Sequence, residues 1–334
     1  MKPTIIKSRF TSKWTTYFVL IACILAIALI GACQKTEGGY ISDYMSYSPK
    51  TLEVRQGIVG FSKSITLDGS TPPITVKLLD VRDKRTGKST NLLQEEHEIS
   101  VFTGVITADD VTMEQLAEKI ETSAMPSLIL NEIGGRVGMT RATLHVDTGV
   151  FTIDVQVSNN VGTQVIKDAL QIAILPTTSS DVLSHSVTLS DLGSETNFVQ
   201  TGNYEFDVRH FPNDEDKIVL KWVDKNGRPF NPSAGEVIKR GDRPTLAAWL
   251  PYYPEELTDT AIVYRYPRFS GLSYPLYNQT TIGGTSWTNG VMYYRVAGSA
   301  TDIGKNLNPV ASLRFNLPGT HIVTFKLNDV SNVN

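Results

Sequence analysis

Cysteine is nearly absent from this chain. There are two in 334 residues, Cys23 and Cys33, both close to the start. Neither a disulfide framework nor a thiolate zinc site nor a cysteine nucleophile can be assembled in the rest of the sequence. Catalytic phrases are missing as well. No GxSxG, Walker A or GxGxxG occurs, and His97, His145, His185, His210 and His321 stand at no metal-ligand spacing such as HExxH. Paired carboxylates of the glycosidase kind are set in space rather than in sequence, so they alone stay open. The expectation is a protein that is not an enzyme, with no cofactor and no metal. An excess of basic residues is lacking too: 31 Lys and Arg face 34 Asp and Glu, a formal charge of −3. A binder of nucleic acid needs a basic patch, so that class is set aside.

What is present begins with residues 1–33. Lys2, Lys7, Arg9 and Lys13 precede an apolar run from Tyr17 to Ile30, and Ile30-Gly31-Ala32-Cys33 closes it. Basic start, apolar run and small residues before a cut are the order of a secretory signal. The run is shorter than the roughly 18–20 residues that span a bilayer. The closing phrase resembles the lipobox of bacterial lipoproteins. That resemblance implies residues 1–32 as a signal peptide and Cys33 as the lipidated N-terminus, anchored in a membrane by acyl chains. Loss of the leader leaves 27 basic against 34 acidic residues, a balance of −7. Residues 33–47 read as a polar tether.

About 300 residues remain, which suits two domains. The composition, 41% apolar, is enough for two cores. The expected fold class is mostly β: two β-sandwich-like domains, the first immunoglobulin-like with one helix insertion, the second a larger sandwich or jelly roll. The first, 48–176, holds β-rich runs at 51–56, 62–67, 74–81 and 151–157, and a closing strand at 169–175. In Phe151–Val157, Ile153, Val155 and Val157 alternate with Thr152, Asp154 and Gln156. Between them, Thr107–Met125 predicts a helix, with Met113, Leu116, Ala117 and Ile120 on one face, Thr107 as cap and Pro126 as stop. Residues 176–181 (PTTSSD) predict a linker. A C-terminal β domain, 182–334, follows, with strands at 216–224, 260–266, 291–296, 311–317 and 321–327 and an Asn226-Gly227 turn.

Aromatics crowd one window. Residues 249–294 hold eleven, where the chain average of 9% gives about four. Many stand beside Pro and Gly, as in LPYYP (250–254). Aromatic rings stack on the C–H faces of sugars while amides and arginines take the hydroxyls. The candidate ligand-binding residues are therefore Trp249, Tyr252, Tyr253, Tyr274 and Trp287, with Asn278, Gln279, Asn289, Arg265 and Arg268 near in sequence. The same rings can equally pack a core with their polar tips at its rim. Asp214, Glu215 and Asp216 could ligate calcium, or form a solvated acidic turn.

Thr148–Asn159 resembles the late strands of bacterial immunoglobulin-like modules. Asp259-Thr260-Ala261 resembles the O-glycosylation acceptor of exported Bacteroidota proteins, with Thr260 as acceptor. Lipobox, tether, immunoglobulin-like domain and aromatic-bearing β domain together resemble the outer-membrane lipoproteins of Bacteroidota. Within that group the layout is similar to the accessory lipoproteins of Sus-type nutrient-uptake loci. The resemblance implies a lipid anchor in the cell outer membrane, a glycan ligand and an outer-membrane transporter complex as partner. The resemblance implies the surface face; Gln34-Lys35-Thr36-Glu37 has only one acid where some lipoproteins of this group carry an acidic cluster, so the periplasmic face stays open. The alternative is a fimbrial or adhesive structural subunit, in which the strand His321–Leu327 could serve as a donor strand.

Overall fold

The computed structural model describes residues 39–194, 196–212 and 214–334. The expected signal peptide and Cys33 lie outside the described residues. Strands make up 47% of the chain and helices 5%, so the class is mostly β and sandwich-like.

The first core lies between two sheets. Strands Thr51–Arg55, Thr163–Leu175, Gly149–Ser158 and Thr75–Asp83 form one, in that spatial order. Thr51–Arg55 runs parallel to Thr163–Leu175, with Val54 opposite Ile174. Gly60–Phe61, Val137–Met139 and Leu128–Leu130 form the other. Val76, Val81, Ile153, Val155 and Val157 from the first sheet share one buried cluster with Leu128, Val137 and Met139 from the second. Each such side chain contributes roughly 1.5–3 kcal/mol by leaving water. The opposite face of Phe151–Val157 is covered too, because Thr152 and Asp154 are buried. Asp154 is compensated by Arg82 at 2.6 Å and by the backbone N–H of Asp168 at 2.8 Å, as a buried carboxylate requires.

Two expectations for this half need correction. The tether is shorter than 33–47. Met45 and Tyr47 are buried in the first core, and Tyr47 donates its hydroxyl to the Gly135 carbonyl. Their apolar bodies dock the segment that its polar neighbours suggested was free. The helix over Thr107–Met125 shrinks to Met113–Ala117, capped by Thr112 in a capping box with Gln115 rather than by Thr107. Ile120–Pro126 is a strand, paired with Glu96–Phe102. Hydrogen bonds to a ready partner strand outweigh the helical spacing, and Thr122 and Ser123 are weak helix formers.

The second core is larger. One sheet contains Ser180–Asp191, Lys305–Phe315, Arg295–Val296 and the edge strands Val199–Thr201 and Val237–Ile238, with Val291–Tyr293 also paired to Lys305–Phe315. The other places Thr320–Leu327 between Tyr204–Phe211, antiparallel, and Lys217–Asp224, parallel, and continues through Ile262–Arg265. The last strand is thus paired on both sides within its own chain. Leu307, Ala311 and Leu313 of one sheet meet Leu220, Trp222, Val323 and Phe325 of the other in a single cluster.

The link between the sandwiches is brief: one strand ends at Leu175 and the next begins at Ser180. Asn316 anchors it by donating to the Thr178 carbonyl and the Asp181 carboxylate. The hairpin 96–126 leans across this junction. Ile106, Leu116 and Ile120 join the second cluster, and the Ser100 N–H donates to the Ser270 carbonyl at 3.1 Å.

Candidate functional site

The aromatic window divides sharply by burial. Trp249 is 0% exposed and donates its indole N–H to the Val291 carbonyl at 2.7 Å. Tyr252 and Tyr274 are also buried, and Tyr274 donates to the Pro267 carbonyl. The exposed stacking platform expected of Trp249, Tyr252 and Tyr274 is therefore corrected: all three are core. Proline and glycine here steer loops inward to plug the end of the sandwich, and the rings follow. Their neighbours behave alike. Tyr264 and Tyr294 share a 2.9 Å hydrogen bond, Tyr264 also donates to Glu255 at 2.8 Å, and Tyr266 donates to the Gly319 carbonyl at 2.6 Å. Burial pushes the phenols of Tyr252, Tyr264, Tyr274 and Tyr294 well above their ordinary range, so none of them ionises near neutrality.

Two candidates keep contact with solvent. Tyr253 is 37% exposed. Trp287 is half-buried on the hairpin formed by Gln279–Ile282 and Thr285–Thr288. The Arg243 guanidinium lies 5.1 Å from its ring centroid and Tyr293 meets it edge-on at 5.2 Å, so its stacking surface is already in use.

Other candidates have structural employment. Asp216 takes Arg268 at 2.7 and 2.8 Å and the Gly319 N–H at 2.7 Å, and Glu215 pairs with Lys217 and Arg265. Among the described residues no group of His, Cys, Asp and Glu is arranged to hold a metal ion. Thr260 sits half-buried in the turn between Glu256–Leu257 and Ile262–Arg265, not at a strand start. His321 is buried, donates its Nε2–H to the Leu317 carbonyl at 2.9 Å, and stacks on His210 at 4.6 Å.

Where the hairpin 96–126 meets the second sandwich, a furrow opens. Its largest part is a cleft of about 680 Å³, lined by Ile106–Asp109 and Val111 on one side and by Ala248, Pro251 and Tyr277–Ile282 on the other. Tyr277 turns its hydroxyl inward to the Ala248 carbonyl and stacks on Trp249 with centroids 5.7 Å apart. Its ring is thereby fixed, and with 7% exposure it borders the cleft with only a small part of its surface. Asn278 and Gln279 are exposed here. The Asn278 side-chain oxygen accepts the Asn289 N–H at 3.2 Å, which orients the amide and leaves its NH₂ without a partner among the described residues. Among the described residues the Gln279 amide and the Asp109 carboxylate likewise have no side-chain partner. A cavity of about 290 Å³ adjoins the cleft and shares Tyr277 and Asn278 with it, and a groove of about 500 Å³ shares Val59, Phe102 and Arg141 with that cavity.

No protein-family model matches this chain, and no curated protein matches it significantly. The site must be read from its own chemistry. Sequence reasoning reached Asn278 and Gln279 as polar neighbours of aromatics. It did not single out Tyr277, read Thr107 as a helix cap, and did not reach Asp109 or Arg141 as site residues. No local phrase marks these residues, because the furrow exists only where two distant segments meet.

Proposed function

We propose that this protein is a non-catalytic lipoprotein of the cell envelope, held in the outer membrane through Cys33, that binds carbohydrate for a nutrient-uptake system. One observation carries the reading. The 680 Å³ cleft sets the fixed, little-exposed ring of Tyr277 beside the Asn278 NH₂, the Gln279 amide and the Asp109 carboxylate, which have no partner among the described residues. Sugars present that combination of demands: apolar C–H faces, and hydroxyls that both donate and accept. The volume falls within the usual range for small-ligand sites, roughly 300–1,000 Å³. The length of the furrow suits a chain of sugars rather than a single ring.

Retardation electrophoresis and calorimetry of the purified protein against a polysaccharide panel test this. Retention by at least one glycan is expected, with Kd on the order of micromolar to millimolar. Replacing Asn278 and Gln279 together by Ala should weaken it at least tenfold while the melting temperature moves by no more than a few degrees. No retention on any glycan, together with high-mass ladders from intact cells, would favour the fimbrial subunit instead.

A further inference from the structure

The middle and far parts of the furrow carry an unusual charge pattern. Arg141 and Arg314 line the 290 Å³ cavity, and Arg136 joins Arg141 in the 500 Å³ groove. Neither lining contains Asp or Glu. Elsewhere arginines reach carboxylates: Arg55 with Asp181, Arg82 with Asp154, Arg268 with Asp216. These three have no carboxylate partner among the described residues. Arg141 and Arg136 instead lie over aromatic rings, 5.1 Å from the centroid of Phe102 and 4.5 Å from that of Phe61.

Arg141 is the most constrained of them. It begins a short 3-10 turn, Arg141–His145. The backbone of Gly271 passes so close that a Cβ there would stand 3.0 Å from the Arg141 Cβ, and Gly271 has φ +74. Burial pushes the Arg141 guanidinium below its ordinary value with no acid to offset it. A half-buried cation without a counter-charge is costly, and an arriving anion relieves that cost. Guanidinium groups also match carboxylate and sulfate oxygens two at a time.

We propose that the furrow selects an acidic polysaccharide, whose carboxylate or sulfate ester docks on Arg141 and Arg314 while neighbouring sugar hydroxyls are read by Asn278 and Gln279. This rests on the carbohydrate reading above and names its substrate class. Continuity decides for a glycan over an acidic peptide. Tyr277 and Asn278 line both the hydroxyl-reading cleft and the arginine cavity, so one polymer can engage both.

The test compares full-length protein binding to polygalacturonate and to neutral galactan, to dextran sulfate and to dextran, and to poly-glutamate. Tighter binding to at least one acidic member than to its neutral partner is expected, by tenfold or more, and weakening with salt. Uronate and sulfate are told apart by which pair shows the preference. Arg314→Gln, at an exposed position, should remove at least fivefold of that preference without moving the melting temperature. Arg141→Gln should remove more, and Arg141→Lys should restore part of it. Equal binding to acidic and neutral partners would overturn the proposal and leave carbohydrate binding standing. Poly-glutamate binding as tight as polygalacturonate would overturn it in favour of acidic peptide. Failure of every glycan would remove both readings together.

Discussion

Trp249 and Tyr277 stack with ring centroids 5.7 Å apart and planes inclined by 30°, yet only Tyr277 lines the cleft. Both rings belong to the second core cluster, Trp249 fully buried and Tyr277 7% exposed, so Tyr277 borders the cleft with little of its surface and is held there by Trp249. The buried inner ring and the exposed ring of Tyr253 should respond differently to truncation. Trp249→Ala should cost about 3–5 kcal/mol in urea unfolding, as large-to-small core changes do. Tyr253→Ala, at an exposed ring, should stay within about 0.5 kcal/mol. A small loss for Trp249→Ala would mean that the end of the sandwich is looser than its packing.

Acid should destabilise the C-terminal sandwich through His321. Burial, reinforced by the neighbouring His210, lowers its pKa to about 4, although the Leu317 carbonyl and Asp216 pull the other way. Its Nδ1 is buried with no partner. Unfolded, the imidazole titrates near 6.5. The unfolded chain therefore binds more protons between these values, and stability rises with pH across that window. The contribution is complete above about pH 6.5 and is lost as pH falls towards 4, on the order of 3 kcal/mol. His321→Gln has no titrating ring, so its unfolding free energy should depend less on pH between 7 and 4. Identical pH profiles for the two proteins would refute this.

Gly319 should tolerate no side chain. Its φ is +118, and a Cβ would stand 2.4 Å from the Phe211 carbonyl oxygen. The same residue accepts from Tyr266 and donates to Asp216, so moving it disturbs the Asp216–Arg268 pair as well. Gly319→Ala should destabilise by about 2 kcal/mol or more. A shift in the chemical denaturation midpoint is the measurement, and an unchanged midpoint would contradict the geometry.

The anchor has its own check. Cys33→Ser removes the thiol proposed to carry the lipid. The variant should leave the detergent phase in Triton X-114 partitioning and lose incorporation of labelled fatty acid. Wild-type partitioning by the variant would contradict lipid attachment at Cys33.

Cleavage between the sandwiches should be slow. The four residues from Pro176 to Ser179 are short and held by Asn316. Limited proteolysis should attack Asn316→Ala there faster than the wild type, because a freed carbonyl loosens the segment. Equal rates would show that Asn316 does not restrain it.

Local sequence determined the class and much of the strand plan. Alternation in Phe151–Val157, and turn chemistry at Asp83–Lys88 and Asn226-Gly227, act between neighbours, and the strands formed there. In Tyr204–Phe211, Tyr204, Phe206 and Val208 alternate with Glu205, Asp207 and Arg209, and the segment is a strand whose residues alternate strictly between half-buried and exposed. Tertiary structure decided the rest. Ile120 has the same helical spacing whether or not a strand waits beside it, and the partner Glu96–Phe102 made its segment a strand. An aromatic beside proline reads the same in a solvent loop and in a loop folded into a core, so Trp249, Tyr252 and Tyr274 could be placed only by what packs against them. The furrow is the extreme case. Asp109, Arg141, Tyr277 and Arg314 are far apart along the chain, and nothing in the sequence near any one of them specifies the others. Burial and charge pairing depend on distance in space, which the sequence encodes only through the whole fold.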